Sequence, residues 1–482
     1  MDLTKLSIKQ TIEGLKTKKF TSLEVTNSYI NNIEKNRNLN SFITETFDLA
    51  IDQAKKSDEN IQNGRMRELE GIPLGIKDLF CTKNIRTTCA SKILENFTPP
   101  YESTVTQKLL DAGAIFLGKL NMDEFAMGST NSSSYFGKAI NPYKKKNSNE
   151  DLVPGGSSGG SAIAVAANLC AGTTGSDTGG SIRQPASFTN IVGIKPTYGR
   201  CSRYGMIAFA SSLDQAGVFS KNVYDGALLQ RIIAGHDPKD STSSKIPVPQ
   251  FEKLLGSDLK GKKIGIPKEY RVDNMPDEIE KLWNKGKKIL ISRGAEIVDI
   301  SLPHTQYAAS VYYVIAPAEC SSNLARFDGI RYGYRNQEKN LSLEEMYEIT
   351  RSEGFGSEVK KRIMIGTYVL SAGYYDAYYK KAQKVRRLIM QDFLEAFKQV
   401  DAILTPSTPN SAFAFNEIKN IDPVTMYLND VFTVPANLAG LPAMSIPAGF
   451  DNNNLPLGLQ IIANNFDEQT MLNIALAIEE NK

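Results

Sequence analysis

From Gly71 onward, short apolar runs alternate with amphipathic stretches, and this alternation limits the possible folds more than any other feature of the chain. IPLGI is followed by VTQKLLDAG and AIFLGKL, and the same order returns in KKIGIP, DEIEKLWNKGKKILISRGA and EIVDISLP. Short apolar runs bounded by turn residues read as strands, and the stretches between them carry apolar residues at helical spacing. Strand, helix, strand in that order predicts an α/β fold with a largely parallel or mixed sheet. The first 65 residues read instead as a helical layer: Thr21 and Glu24 form a capping-box pattern ahead of Val25, Tyr29, Ile30 and Ile33 at helical spacing. No fixed-period repeat and no long linker divides the 482 residues. We therefore expect a single domain, with the helical layer over 1–65, a core over 71–210 and the remainder of the same domain over 211–482.

Composition matters mainly through what is scarce. The chain has two histidines, His236 and His304, both in turn-like contexts and far apart in sequence. A histidine-rich zinc site or a two-histidine iron site would consume both. Fifty-six basic against 53 acidic side chains leave a formal charge of +3, too little to suggest a nucleic-acid footprint. Cys81, Cys89, Cys170, Cys201 and Cys320 are scattered without a CxxC pair, as expected of free thiols in a reducing compartment. MDLTKLSIKQ lacks a signal-peptide core and no run is apolar enough to span a bilayer, so the expectation is a cytoplasmic protein with no membrane contact.

The polar stretch KKKNSNEDL reads as a surface loop, and directly after it comes PGGSSGGSAIAVAANLCAGTTGSDTGGSIRQPASFTNIVGIKPTYGR, Pro154 to Arg200. Glycine and serine at this density usually make a flexible linker. The small apolar run from Ser161 to Ala171 argues otherwise, because it suits a tightly packed buried helix and a linker has no use for one. The glycines then mark backbone that approaches something closely or exposes its N–H groups. Neither GGSSGGSA nor GSDTGGSI supplies the lysine of a phosphate-binding GxxxxGK[ST] loop. Gly155, Ser157 and Gly159 do match the GxSxG nucleophile elbow, but that motif needs an apolar strand before it and a histidine after it. Here a polar loop precedes the motif. A buried lysine is the alternative base, since desolvation disfavours its ammonium form. Lys77 in GIPLGIKDLF ends an apolar run and is the candidate, although a lysine in that position can also snorkel to solvent.

Lys77 in GIKD, Ser157 in GGSSGGS and Ser181 in GSDTGGSIRQPA together resemble the amidase signature family, and the two serines stand at the family's separation. The resemblance implies the amidase-signature fold, a large mixed β-sheet covered on both faces by helices, with Ser181 as nucleophile, Ser157 as bridging serine after a cis peptide bond, and Lys77 as base. It further implies an oxyanion hole from the backbone N–H groups of Thr178, Gly179, Gly180 and Ser181. LNMDEFAMGSTNSSSYFG, KPTYGRCSRYGMIAFASSLDQAG, RSEGFGSEVKKRI and SAGYYDAYYKKAQKVR narrow the resemblance to the glutaminase subunits of tRNA-dependent amidotransferases. For that branch the implied amide is glutamine, with Arg362 for its carboxylate, Asp430 for its ammonium and Tyr312 in the pocket wall. The implied complex is a heterotrimer with GatB-like and GatC-like subunits that converts Glu-tRNA(Gln) to Gln-tRNA(Gln). The chain itself is expected to carry no cofactor or metal, ATP and Mg²⁺ being held by the partner subunit. A stand-alone amidase acting on another small amide is the alternative, and a non-catalytic scaffold is disfavoured by the intact Lys77, Ser157 and Ser181.

Overall fold

The computed structural model describes residues 2–272, 275–420 and 429–481. Eleven strands among these residues form one sheet. They are β1 (Phe42–Glu45), β2 (Pro73–Lys77), β3 (Ile115–Leu120), β4 (Gly172–Asp177), β5 (Val192–Lys195), β6 (Gln215–Ser220), β7 (Lys263–Pro267), β8 (Glu296–Ile300), β9 (Ala402–Pro406), β10 (Ala443–Phe450) and β11 (Pro456–Ala463). Their order across the sheet is β1-β3-β2-β4-β6-β5-β10-β11-β9-β7-β8. Pairing is parallel for β3-β2-β4 and β9-β7-β8 and antiparallel elsewhere, so the sheet is mixed as expected.

Each alternating segment takes its expected form. IPLGI contributes β2, VTQKLLDAG the helix Thr104–Asp111, AIFLGKL β3, and the second set gives β7, the helix Asp277–Ser292 and β8. Every residue of β2, β3, β4, β5, β6, β9 and β11 is buried, which requires cover on both faces of the sheet. Phe47–Gln62 packs on β3, Val223–Ile233 on β5 and β6, Glu468–Glu479 on β10 and β11, and Gly159–Ala166 on β2 and β4. The predicted capping box is present: Thr21 Oγ1 accepts from the Glu24 N–H, and the Thr21 N–H donates to the Glu24 carboxylate at 2.7 Å.

One departure lies at the chain's start. The segment read as wholly helical also supplies β1, an edge strand of four half-buried residues with a register shift between Phe42 and Thr44. It is too short and too little buried to leave an alternating pattern between the two helices that flank it. Three further helices, Ala308–Asn323, Ser357–Leu370 and Lys381–Ala396, pack together in the second half of the chain. No helix among the described residues is long and apolar enough to cross a membrane. All five cysteines are buried free thiols.

Candidate active site

The Gly/Ser segment is the most deeply buried part of the molecule, with nearly every residue from Val153 to Thr189 inside. Its small residues are what permit this depth. A Cβ on Gly156 would fall 2.1 Å from the Asp123 carboxylate, and one on Gly179 would meet the Tyr312 ring at 2.8 Å. The small apolar run forms the helix Gly159–Ala166, fully buried through Val165. No strand enters the Ser157 turn, so the nucleophile-elbow geometry is not built.

β2 ends on Lys77, and parallel pairing with β4, with the Lys77 N–H donating to Thr174 Oγ1 at 2.9 Å, sets it alongside β4. Lys77 is fully buried, and its Nζ donates to Ser157 Oγ at 2.8 Å, Ser158 Oγ at 2.7 Å and Ser176 Oγ at 2.8 Å. Burial pushes its pKa down to about 7, against the pull of Asp123 and Asp177. Ser158 Oγ in turn donates to the Ser176 carbonyl at 3.2 Å, so toward the lysine it acts as an acceptor. The Gly156–Ser157 peptide bond is cis, as the resemblance implied. The Asp123 N–H holds the Ser157 carbonyl at 3.1 Å, and the Asp123 carboxylate accepts from the Asn131 N–H and the Ser133 hydroxyl, each at 2.8 Å.

Ser181 follows β4 and precedes the helix Arg183–Phe188; the Ser158 N–H donates to its carbonyl at 3.3 Å. The turn that presents it is fixed from several directions. Thr178 Oγ1 donates to Asp214 at 2.7 Å, Thr433 Oγ1 donates to the Gly179 carbonyl at 2.7 Å, and the Gly180 N–H donates to Asp177 Oδ1 at 2.8 Å. The last bond revises one expectation. The Gly180 N–H is committed to Asp177, so among the four expected oxyanion donors Gly180 shapes the turn while Thr178, Gly179 and Ser181 remain candidates. Gly180 itself has φ +139°, and a Cβ there would strike Thr433.

Asp177 is fully buried, which by itself would raise its carboxyl, but the Arg183 guanidinium holds it down at about 2. Arg183 reaches both Asp177 oxygens, at 3.0 and 3.1 Å, and also donates to the Thr433 carbonyl, Gln460 and Asn437. Asp123, Ser158, Ser176, Asp177 and Arg183 were not singled out from the sequence. The available signal was the presence of a carboxylate and a guanidinium on either side of TGGS in a segment otherwise poor in charge.

Ser181 opens onto a cavity of about 380 Å³ whose walls include Gly179, Tyr312, Arg362, Asp430 and Thr130. The structure thus gathers the nucleophile candidate and all three expected pocket residues around one space. Tyr312 is buried and its hydroxyl is pushed up by desolvation. Arg362 Nε donates to Glu358 at 2.6 Å and its guanidinium lies 4.8 Å from the Tyr313 ring centre. Burial opposes the arginine's charge, but Tyr313 and Glu358 hold its pKa above the ordinary value. Burial and the charge of Asp177 raise the Asp430 carboxyl to about 7, while Arg362 draws it down. Neither histidine lines the cavity: His236 Nδ1 lies 3.1 Å from the Ser243 carbonyl and His304 Nδ1 2.8 Å from Asp392. Among the described residues no group of three or more His, Cys, Asp or Glu side chains is placed to hold a metal ion.

The chain is similar to known proteins over nearly its full length. Residues 24–472 match the family model described as Amidase. The A-type subunit of the glutamyl-tRNA(Gln) amidotransferase from Pelagibacter ubique is 62% identical over 479 residues, 99% of this chain and 97% of the relative. The solved structure of the corresponding glutamyl-tRNA(Gln) amidotransferase subunit from Thermotoga maritima is 40% identical with a TM-score of 0.81, covering 100% of this chain and 96% of that one. The native peptide amidase from Stenotrophomonas maltophilia is 28% identical with a TM-score of 0.83, covering 99% and 97%.

Proposed function

The chain belongs to the amidase family, and from that premise we propose that it is the glutamine-hydrolysing subunit of a glutamyl-tRNA(Gln) amidotransferase. The observation that carries the chemistry is the fully buried Lys77 amine within 2.8 Å of Ser157 Oγ, next to a nucleophile candidate that faces a cavity of substrate size. With its pKa near 7, Lys77 is available as a neutral amine. Because the Ser158 hydroxyl proton is directed at the Ser176 carbonyl, the lysine lone pair is left to the Ser157 and Ser176 hydroxyls, and Ser157 is assigned as the proton relay. Lys77 takes the Ser157 proton as Ser157 takes the Ser181 proton, and Ser181 Oγ attacks the amide carbon of glutamine. The tetrahedral oxyanion is met by backbone N–H groups of Thr178, Gly179 and Ser181, each such donor supporting the rate by on the order of 100- to 1000-fold. Collapse returns the proton through Ser157 to the leaving nitrogen, releasing ammonia and an acyl-enzyme that water then hydrolyses to glutamate.

Arg362 binds the glutamine carboxylate and Asp430 its ammonium, with Tyr312 closing the wall against Gly179. The ammonia serves an ATP-dependent conversion of Glu-tRNA(Gln) to Gln-tRNA(Gln) on GatB-like and GatC-like partners, which hold ATP and Mg²⁺. The single sheet running from β1 to β8 supports one domain over 1–482, and five buried thiols support a cytoplasmic setting. The likeness to the Stenotrophomonas peptide amidase favours one other reading, a stand-alone amidase. Ammonia release from glutamine, measured with and without the partner subunits, ATP and Glu-tRNA(Gln), separates the two. Stimulation by the partners is expected; partner-independent turnover of diverse amides would overturn the amidotransferase reading.

A further inference from the structure

RSEGFG, Arg351 to Gly356, takes part in none of the chemistry above, yet it stands immediately before the helix Ser357–Leu370 that bears Glu358 and Arg362. Gly356 is the residue at the start of this helix, and no side chain of its own caps it. Its N–H donates instead to the Glu124 carboxylate, at 2.9 Å to Oε2 and 3.2 Å to Oε1. Ser91 Oγ donates to Glu124 Oε1 at 2.5 Å and also lies 3.3 Å from the Gly354 carbonyl. Both glycines of the motif face their neighbours closely. A Cβ at Gly356 would fall 2.3 Å from Glu124 Oε2, and one at Gly354 would fall 2.4 Å from the Ile93 side chain.

Glu124 belongs to the turn Glu124–Ala126, and Ala126 at its end and the next residues, Met127 to Thr130, line the cavity. Two successive residues in that turn, Phe125 at φ +49° and Ala126 at φ +61°, hold left-handed backbone, which is costly for side chains other than glycine and is kept only where the surroundings enforce it. The enforcement is visible. The Phe125 ring packs 5.0 Å from Phe327 and 5.7 Å from Phe355 of the same RSEGFG motif. One short turn therefore grips the motif twice, through a carboxylate on the backbone N–H of Gly356 and through a ring on Phe355.

We propose that Glu124 is a positioning residue for glutamine binding: by fixing Gly356 it sets where the helix start, and with it Arg362, stands relative to the Met127–Thr130 wall. The inference rests on the glutaminase reading for its substrate and on the geometry alone for the clamp. The Glu124 carboxylate bonds Gly356 and Ser91 but not Lys77, Ser157 or Ser181, so its removal is expected to tell on binding more than on the chemical step, although Asp123 beside it holds the Ser157 carbonyl. The test is a glutaminase assay of the assembled complex with Glu124→Ala and Glu124→Gln, together with amide hydrogen exchange over residues 356–362. Glu124→Ala is expected to raise the glutamine KM about tenfold with kcat within about twofold, and to speed exchange in the 356–362 segment. Glu124→Gln keeps an oxygen to accept from Gly356 and is expected to restore most of the KM. An unchanged KM, or a loss carried by kcat with exchange unaltered, would overturn the proposal. Should Glu124→Ala not fold, Gly356→Ala presses a methyl group on the same carboxylate, and an unchanged KM there would overturn it equally. If the wild-type complex releases no ammonia from glutamine, the functional reading fails, and the exchange data decide the clamp by themselves.

Discussion

Two buried lysines occupy neighbouring parallel strands and have opposite surroundings. Lys77 ends β2, and Lys119 lies in β3 with its backbone in register with Ile76. Lys119 Nζ donates to the Phe80 carbonyl at 2.8 Å and Thr87 Oγ1 at 2.6 Å and stands 3.5 Å from the Asp78 carboxylate. Lys77 has serine hydroxyls as its side-chain partners. Burial lowers both pKa values, but at Lys119 a carboxylate in ion-pair contact works against it, whereas Asp123 and Asp177 act on Lys77 from beyond the hydroxyls. Sequence neighbours produce the contrast. In GIKD the lysine and aspartate are adjacent, and on an extended chain they face opposite ways, Lys77 to the serines and Asp78 to Lys119. The difference teaches that burial alone does not make a base. A buried lysine with a carboxylate in contact is a structural cation, and one among hydroxyls can give up its proton.

The sharpest way to break this comparison is Lys77→Ala, which should cut the glutaminase kcat by on the order of 1000-fold with the thermal transition preserved. Near-normal turnover would contradict the mechanism. Lys119→Met should do the reverse, leaving Asp78 buried without its ion-pair partner and costing about 3–5 kcal/mol in denaturant unfolding; stability equal to wild type would show that this pair is not structural. The third prediction concerns pH. Below about 7 Lys77 takes up a proton in the folded enzyme, so kcat/KM should fall by up to about tenfold per pH unit on acidification and level off above it. Asp430, also raised to about 7, must be ionised to hold the substrate ammonium. Its protonation acts in the same direction and steepens the acid limb. A flat profile across neutrality would remove Lys77 as the base. The smallest effect is expected from replacing both His236 and His304 with Asn, which should leave glutamine hydrolysis within about twofold of wild type. A larger loss in kcat would mean that imidazole has a part in the reaction.

The family was legible because Lys77, Ser157 and Ser181, the trio proposed as catalytic, each sit in a compact motif, and three motifs in order identify a family where one would not. The parent α/β fold was legible for a similar reason: strand and helix periods differ, and the second set KKIGIP to EIVDISLP repeats the lesson of the first. What stayed hidden were groups whose meaning depends on a distant partner. Nothing local marks Arg183 as the residue that reaches Gln460 on β11, or Glu124 as the acceptor for Gly356. The commitment of the Gly180 N–H was equally out of view, since glycine-rich turns look alike until the direction of each peptide is known. Strand β1 escaped because an edge strand of four residues lacks the burial that writes a pattern.

The fan of bonds around Arg183 also has a bearing on the order in which the chain is made. Lys77, Ser157 and Ser181 all precede Arg183, yet Thr433, Asn437 and Gln460, which grip Arg183 two residues past Ser181, lie 250, 254 and 277 residues further along the chain. A chain interrupted before Thr433 contains Lys77, Ser157 and Ser181 and lacks these three partners of Arg183. The surroundings of Ser181 are thus assembled from both halves of the sheet and not from its own motif alone.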